Sequence, residues 1–161
     1  METVYIETTL VSYLMARTKE GTVARQWQDW TADWWRLRRQ GFECVTSPEV
    51  LREAAEGDTE MSRKRLEALS SCTLLLRTPA VDETAEAFLN GGALPPKAKA
   101  DAAHLAFASV YKADYLLTWN FKHLANAVIQ SQLRPIAQRR GLQLPIICTP
   151  LQLMGTIEYE G

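Results

Sequence analysis

The chain has 161 residues, 47% of them hydrophobic and 23% charged, which predicts one compact domain spanning residues 1–161 with a full apolar core. Its formal net charge of −1 excludes a protein that coats nucleic acid through a large positive excess, because such binding depends on neutralising phosphates. Any contact with nucleic acid is therefore expected to be local or assisted by metal ions.

Hydrophobic periodicity predicts strands alternating with helices along the whole chain. Five short runs rich in β-branched and apolar residues are the predicted strands: 3–6, 42–46, 72–76, 115–118 and 146–149. Ser, Thr, Asp and Pro start signals and Gly stop signals place helices at about 8–14, 22–40, 47–57, 58–69, 78–90 and 97–112. A further helical stretch follows residue 123, and Pro135 is predicted to begin a separate short helix that ends at Gly141. The alternation predicts an α/β fold, a three-layer α/β/α sandwich with a central parallel sheet.

Cysteine usage and hydropathy predict the compartment. Cys44, Cys72 and Cys148 are an odd number, far apart in sequence, with no metal-binding spacing. Each lies in a β-like run, so buried, reduced thiols in strands are expected. No apolar stretch approaches the roughly 20 residues of a membrane span, and the first residues lack a signal-peptide layout. We therefore expect a cytoplasmic protein without a membrane segment.

Four polar side chains fall where a parallel sheet collects its ligands, outside the carboxyl ends of the strands. Glu7 follows the first strand and Asn120 the fourth, whereas Glu53 lies on the helix after the second strand and Asp101 on the helix before the fourth. We expect these side chains to converge. An acid cluster without histidine or cysteine ligands fits Mg²⁺ or Mn²⁺ better than zinc. Such a cation lowers the pKa of a water molecule and stabilises charge on a phosphate transition state.

These residues lie in four segments that together resemble a PIN domain, in the order that the family shows: Val4–Leu14, Ser47–Glu53, Asp101–Ala106 and Tyr115–Asn120. The resemblance implies an α/β/α sandwich that cleaves RNA with Mg²⁺ or Mn²⁺, with Glu7, Glu53, Asp101 and Asn120 as its metal-binding and catalytic residues. Many bacterial members are VapC toxins of type II toxin–antitoxin systems, inhibited by a VapB antitoxin. Glu7 stands where the family usually has aspartate, and Asn120 where it usually has a fourth acid.

Each candidate also has a structural alternative. In this alternative, Glu7 only interacts favourably with a helix dipole, and Glu53 lies on a solvated helix face. Asp101 lies in an alanine-rich helix that is predicted to be largely buried, where an aspartate needs a partner or a metal. His104, one turn later, is expected to hold the Asp101 carboxylate or to pack.

Other polar residues are expected to assist at this site. Thr8 and Thr118 are expected to support the metal ligands through their hydroxyls. Lys122 and His123 are expected either to contact a substrate phosphate or to form a plain surface loop.

The long helix predicted at about 22–40 suggests binding to other protein chains. Its apolar stripe is Val23, Trp27, Trp30, Trp34 and Leu37, and the three tryptophans of the stripe are predicted to be core rather than a platform for stacking bases. Trp35 falls off the stripe, which predicts a second buried face against another subunit or an antitoxin. We expect a homodimer, an RNA substrate and a VapB-like antitoxin.

Three functions of different classes remain open from the sequence. The first is the metal-dependent ribonuclease. The second is a catalytically weak or inactive PIN fold that binds RNA or a protein partner, which Asn120 favours. The third is an unrelated α/β/α phosphatase or regulator. That function needs a nucleophilic aspartate after the first strand, where this chain has Glu7-Thr8-Thr9.

Overall fold

A parallel five-stranded sheet forms the centre of the computed structural model, which describes residues 1–155. The end of the predicted domain, residues 156–161, lies outside the described residues. The strand order is β3-β2-β1-β4-β5, and every pairing is parallel. The strands are β1 (Thr3–Ile6), β2 (Glu43–Thr46), β3 (Thr73–Leu74), β4 (Tyr115–Leu117) and β5 (Ile146–Cys148).

Helices connect the strands and complete the predicted three-layer α/β/α fold. They are α1 (Thr8–Met15), α2 (Val23–Leu37), α3 (Pro48–Ala54), α4 (Thr59–Leu69), α5 (Pro79–Asn90), α6 (Lys99–Val110) and α7 (Ala127–Arg139), with a 3₁₀ turn at Arg39–Gly41. The chain moves outward from β1 to β3 and then returns to the other side of β1 for β4 and β5. Because parallel crossovers are right-handed, this reversal distributes the helices over both faces of the sheet.

The reversal also creates a topological switch point between β1 and β4, which pair through Ile6 and Leu117. Both strands are central and buried on two sides, and Tyr5, Ile6, Leu116 and Leu117 are completely inaccessible to solvent. Polar groups that follow such strands emerge from the core at one edge of the sheet. In open α/β sheets, ligands bind at this position.

The prediction for Pro135 is wrong, because this proline lies inside α7 and begins no new helix. The side chain of Asn126 accepts hydrogen bonds from the first-turn N–H groups of Val128 and Ile129, and so caps the helix well before the proline. Buried Leu133 and Ile136 anchor the second half of α7 to the core. This packing outweighs the single hydrogen bond that a proline removes from a helix.

The apolar stripe of α2 is only partly core. Trp34 is fully buried, and Trp27 and Trp30 pack against the core while partly exposed. Val23 and Leu37, at the two ends of the helix, are 62% and 55% exposed. The helix therefore buries its centre and leaves an apolar residue exposed at each end.

The three cysteines are free thiols, and the prediction of buried thiols in strands is confirmed in full only for Cys148. Cys148 is buried in β5, Cys44 is partly buried in β2, and Cys72 directly precedes β3. Burial raises the thiol pKa to about 12 for Cys44 and Cys148 and to about 11 for Cys72. Within residues 1–155, every helix is too short or too polar to cross a membrane.

Candidate metal centre

The first candidate ligand extends the central strand β1. Glu7 donates its backbone N–H to the carbonyl of Leu117, 3.3 Å away, so the ladder between β1 and β4 continues one residue past the end of β1. Thr118 in turn donates its N–H to the carbonyl of Cys148. Glu7 and Thr118 therefore lie side by side where the sheet ends.

The Glu7 carboxylate is buried, with 3% of the residue exposed. It caps α1, and its Oε2 accepts hydrogen bonds from the Thr9 N–H, from the Thr9 hydroxyl and, at 2.8 Å, from the Thr118 hydroxyl. Among residues 1–155, no group donates to the second oxygen, Oε1. Burial raises the pKa of Glu7, and the nearby His104 and the threonine hydrogen bonds oppose that rise only in part.

Glu53 reaches the same place from α3. Its Oε1 accepts hydrogen bonds from the Thr8 hydroxyl at 2.7 Å and from His104 Nε2 at 2.6 Å. Burial acts to raise the pKa of Glu53, but the hydrogen bond and charge of His104, together with Thr8, outweigh it and lower that pKa. The alternative of a solvated helix face is wrong for Glu53, since its side chain is only 27% exposed.

His104 holds Glu53, whereas the sequence predicted that it either holds Asp101 or only packs in the core. The ring is fully buried, and its Nδ1 lies 2.8 Å from the hydroxyl of Tyr5 in β1. The Tyr5 hydroxyl lies 2.6 Å from Ser47 Oγ. Burial acts to lower the pKa of His104, but the hydrogen bond to Glu53 and the charges of Glu7 and Glu53 raise it. Because both ring nitrogens are engaged, His104 orients a carboxylate and does not present a lone pair to a cation.

Glu7, Glu53 and His104 form a compact group, with one potential ligand atom from each lying within 4.8 Å of the others. In the part of the chain that the structure describes, this is the one set of three or more acidic, histidine or cysteine groups so placed. Asp101 and Asn120 are outside it. Hydrogen bonds connect Asp101 to Asn120 and connect Asn120, through Thr118, to Glu7.

Asp101 lies in the first turn of α6, and its side chain is 17% exposed. Its Oδ1 accepts a hydrogen bond from Asn120 Nδ2 at 3.2 Å, and its Oδ2 lies 2.8 Å from His123 Nδ1. The prediction that α6 is largely buried is confirmed, and Asp101 at its start has two protein partners, as an aspartate in such a helix requires. An acid in this turn also interacts favourably with the helix dipole.

Asn120 links Asp101 to Glu7. Its backbone N–H donates to the Thr118 hydroxyl at 3.0 Å, and that hydroxyl donates to Glu7. Its amide oxygen accepts the N–H groups of Lys122 and His123 at 3.1 and 3.0 Å. The amide thus presents its nitrogen to Asp101 and its oxygen to the following turn.

The sequence found all four polar positions but missed several of their supports. The roles expected for Thr8 and Thr118 agree with the geometry, since their hydroxyls donate to Glu53 and Glu7. The parts played by Tyr5 and Thr9 were missed. A tyrosine in a buried strand was an available signal, because a buried phenol needs a hydrogen-bond partner.

Comparison with known proteins identifies no family for this chain. No protein-family model matches the chain, and no curated protein matches it in sequence.

Proposed function

We propose that this protein is an endoribonuclease of the PIN-domain kind, which cleaves RNA phosphodiester bonds with Mg²⁺ or Mn²⁺. The observation that carries the proposal is the meeting of the Glu7 and Glu53 carboxylates at the switch point of the sheet. The two side chains come from different elements, and each has one oxygen fixed by hydrogen bonds.

The donor set suits a hard divalent cation. In Glu7 and in Glu53, one oxygen accepts the hydrogen bonds described above, so the other is available as a ligand. Two neighbouring carboxylates repel each other, and His104 can balance only one of them. A cation that prefers oxygen ligands would offset the remaining charge. These features support the choice of Mg²⁺ or Mn²⁺.

Each residue has a distinct role in the proposed reaction. Glu7 and Glu53 hold the cation, and Asp101 is a third carboxylate that Asn120 and His123 orient. The cation, when bound, lowers the pKa of water and stabilises negative charge on the phosphate. Hydrolysis then forms a bond from phosphorus to a water oxygen and breaks the bond to a ribose oxygen, which takes up a proton.

An RNA-cleavage assay with Mg²⁺, Mn²⁺ or EDTA tests this function. We expect cleavage with either cation and none with EDTA, and no cleavage by Glu7→Gln prepared in the same way. The variant is the control for contaminating nucleases. Cleavage that persists in EDTA, or that the variant retains, would contradict the proposal.

A catalytically weak or inactive module that binds RNA or protein is the second candidate. The engagement of the Asn120 amide oxygen with the following turn favours it, because the site then has three carboxylates and no fourth oxygen ligand. RNA binding without cleavage under any metal condition would select this candidate.

We also propose that the protein works in the cytoplasm as a homodimer with a VapB-like antitoxin. Trp35 no longer supports this, since it is partly buried and the Arg39 guanidinium covers its ring at 4.6 Å. Exposed Val23 and Leu37 on α2 are the better candidates for apolar contacts. Sedimentation of the parent as a dimer, and of Leu37→Glu as a monomer, would support an interface on α2. A parent that sediments as a monomer at all concentrations would contradict it.

A further inference from the structure

Four aromatic rings pack together beside the acidic site and form an aromatic platform: Tyr13, Trp27, Trp119 and Phe121. The rings of Trp27 and Trp119 are stacked, with centroids 5.0 Å apart and planes inclined by 4°. Phe121 meets both rings edge-on, at 5.3 Å from Trp27 and 6.1 Å from Trp119. Tyr13 meets the same two rings edge-on at 5.4 and 6.2 Å.

Hydrogen bonds tie the platform to the acidic site. The Trp119 N–H donates to Thr9 Oγ1 at 2.8 Å, and the same hydroxyl donates to Glu7. The Trp119 indole N–H donates to Thr31 in α2 at 2.7 Å. Asn120, the residue between Trp119 and Phe121, donates to Asp101. Trp119 and Phe121 therefore belong to the same turn as Asn120 of the candidate site, and Tyr13 and Trp27 pack against them from α1 and α2.

Phe121 is the most exposed ring of the platform. Trp119 is 5% exposed, whereas Phe121 is 46% exposed. The backbone of Phe121 is held in place, since its carbonyl accepts a hydrogen bond from Asn126 Nδ2 and the next N–H donates to Asn120. Lys122, also exposed, follows directly. A fixed, exposed ring between a carboxylate site and a lysine suits a ligand that combines a flat apolar part with a phosphate.

We propose that the aromatic platform, through Phe121, stacks an unpaired base of single-stranded RNA next to the phosphodiester bond at the acidic site. The inference rests on the proposed nuclease function and names a residue of this chain, Phe121, that would position the substrate. An unpaired base exposes its flat face to a protein ring, whereas a base inside a duplex is stacked between its neighbours. Lys122 would neutralise a backbone phosphate nearby.

Fluorescence anisotropy tests the proposal without cleavage. Labelled single-stranded RNA, the same strand in a duplex, and the same strand with abasic positions are titrated in EDTA. We expect the parent to bind the single strand best, and Phe121→Ala to bind it roughly 5- to 100-fold more weakly, as for other base–aromatic stacks. Phe121→Tyr should bind as the parent does. Tyr111→Ala is the matched control, because Tyr111 is an exposed aromatic residue at the far end of α6.

The outcomes separate this inference from the proposed function. If Phe121→Ala weakens binding but the parent cleaves RNA under no metal condition, stacking stands and the nuclease fails. If the parent cleaves RNA with Mg²⁺ or Mn²⁺ while Phe121→Ala and the abasic strand bind as well as their references, the stacking proposal is overturned. It is also overturned if the parent binds no RNA, or if Phe121→Ala changes only the sedimentation of the protein, as at a subunit interface.

Discussion

The two ends of the parallel sheet carry similar charged residues in different surroundings. At the amino end, Glu2, Lys112 and Asp114 are exposed and line a cavity of about 570 Å³. Asp114 accepts a hydrogen bond from the Thr3 N–H at 2.8 Å but remains in contact with water. At the carboxyl end, Glu7 and His104 are buried, and each belongs to its own network of hydrogen bonds. The amino end thus carries exposed charges around an open cavity, and the carboxyl end carries a buried carboxylate and a buried histidine.

The comparison shows that burial and partners, rather than residue type, give a carboxylate distinctive chemistry. Water screens the exposed charges at the amino end, so pairs among them contribute little to the stability of the fold. At the carboxyl end, the pKa of Glu7 is raised and that of Glu53 is lowered. Opposite shifts in neighbouring acids are typical of functional sites. Each prediction below pairs a change at the carboxyl end with a matched change at the amino end.

The largest difference is expected in catalysis. Asp101→Asn keeps the shape of the side chain and removes its charge, so metal-dependent RNA cleavage should fall by several orders of magnitude. Asp114→Asn makes the same change at the amino end and should cleave RNA at the parental rate. Initial rates of cleavage with Mn²⁺ provide the measurement, and circular dichroism checks the fold. Parental activity in Asp101→Asn, or its unfolding, would contradict the role assigned to Asp101.

The next difference is in stability. His104→Ala leaves Glu53 and Tyr5 without their shared partner, and loss of one member of a buried charged pair costs about 3–5 kcal/mol. Glu2→Ala removes an exposed charge and should change the free energy of unfolding by no more than about 0.5 kcal/mol. Urea unfolding in EDTA measures both. Equal effects of the two substitutions would show that the network of His104 contributes little to folding.

Stabilisation by metal should distinguish substitutions at the two ends of the sheet without any measurement of activity. A cation at 100 times its dissociation constant stabilises the folded state by about 2.7 kcal/mol. We expect Mg²⁺ or Mn²⁺ to raise the melting temperature of the parent and of Glu2→Gln, but not that of Glu7→Gln. In EDTA, Glu7→Gln should be at least as stable as the parent at neutral pH, because the raised pKa of Glu7 means that its ionised form is disfavoured in the fold. A metal-induced shift that survives Glu7→Gln would place the cation elsewhere.

The smallest difference between the two ends is expected for substitution of the Asn120 amide. Asn120→Asp brings a second carboxylate against Asp101 in place of a hydrogen-bond donor. Without metal, we expect this repulsion to lower the free energy of unfolding by roughly 1 kcal/mol. With Mn²⁺, the variant should gain more stability than the parent does. Gln143→Glu adds the same charge at the amino-end cavity and should show neither change. Thermal unfolding with and without Mn²⁺ measures both the loss of stability without metal and the larger gain with metal.

Much of the fold followed from local signals. Alternating strands and helices predicted the parallel sheet, and the caps at Ser47 and Thr78 placed the starts of α3 and α5. Pro135 shows where a local signal fails, because burial of later residues in α7 overrides the tendency of proline to begin or end a helix. The exposed ends of α2 show the same limit. Periodicity predicts which side of a helix is apolar but not how much of its length a partner covers.

For the site, the sequence by itself determined the residue types and their order relative to the strands, because strand ends and caps are set by neighbouring residues. It placed Glu7, Glu53, Asp101 and Asn120 at one end of a parallel sheet. Only the tertiary structure decided their partners: His104 turns to Glu53 and Tyr5, and Asp101 pairs with Asn120 and His123. The physical reason is distance along the chain. His104 and Glu53 are 51 residues apart, and such contacts depend on the packing of α3 and α6 against β1, which no local pattern encodes.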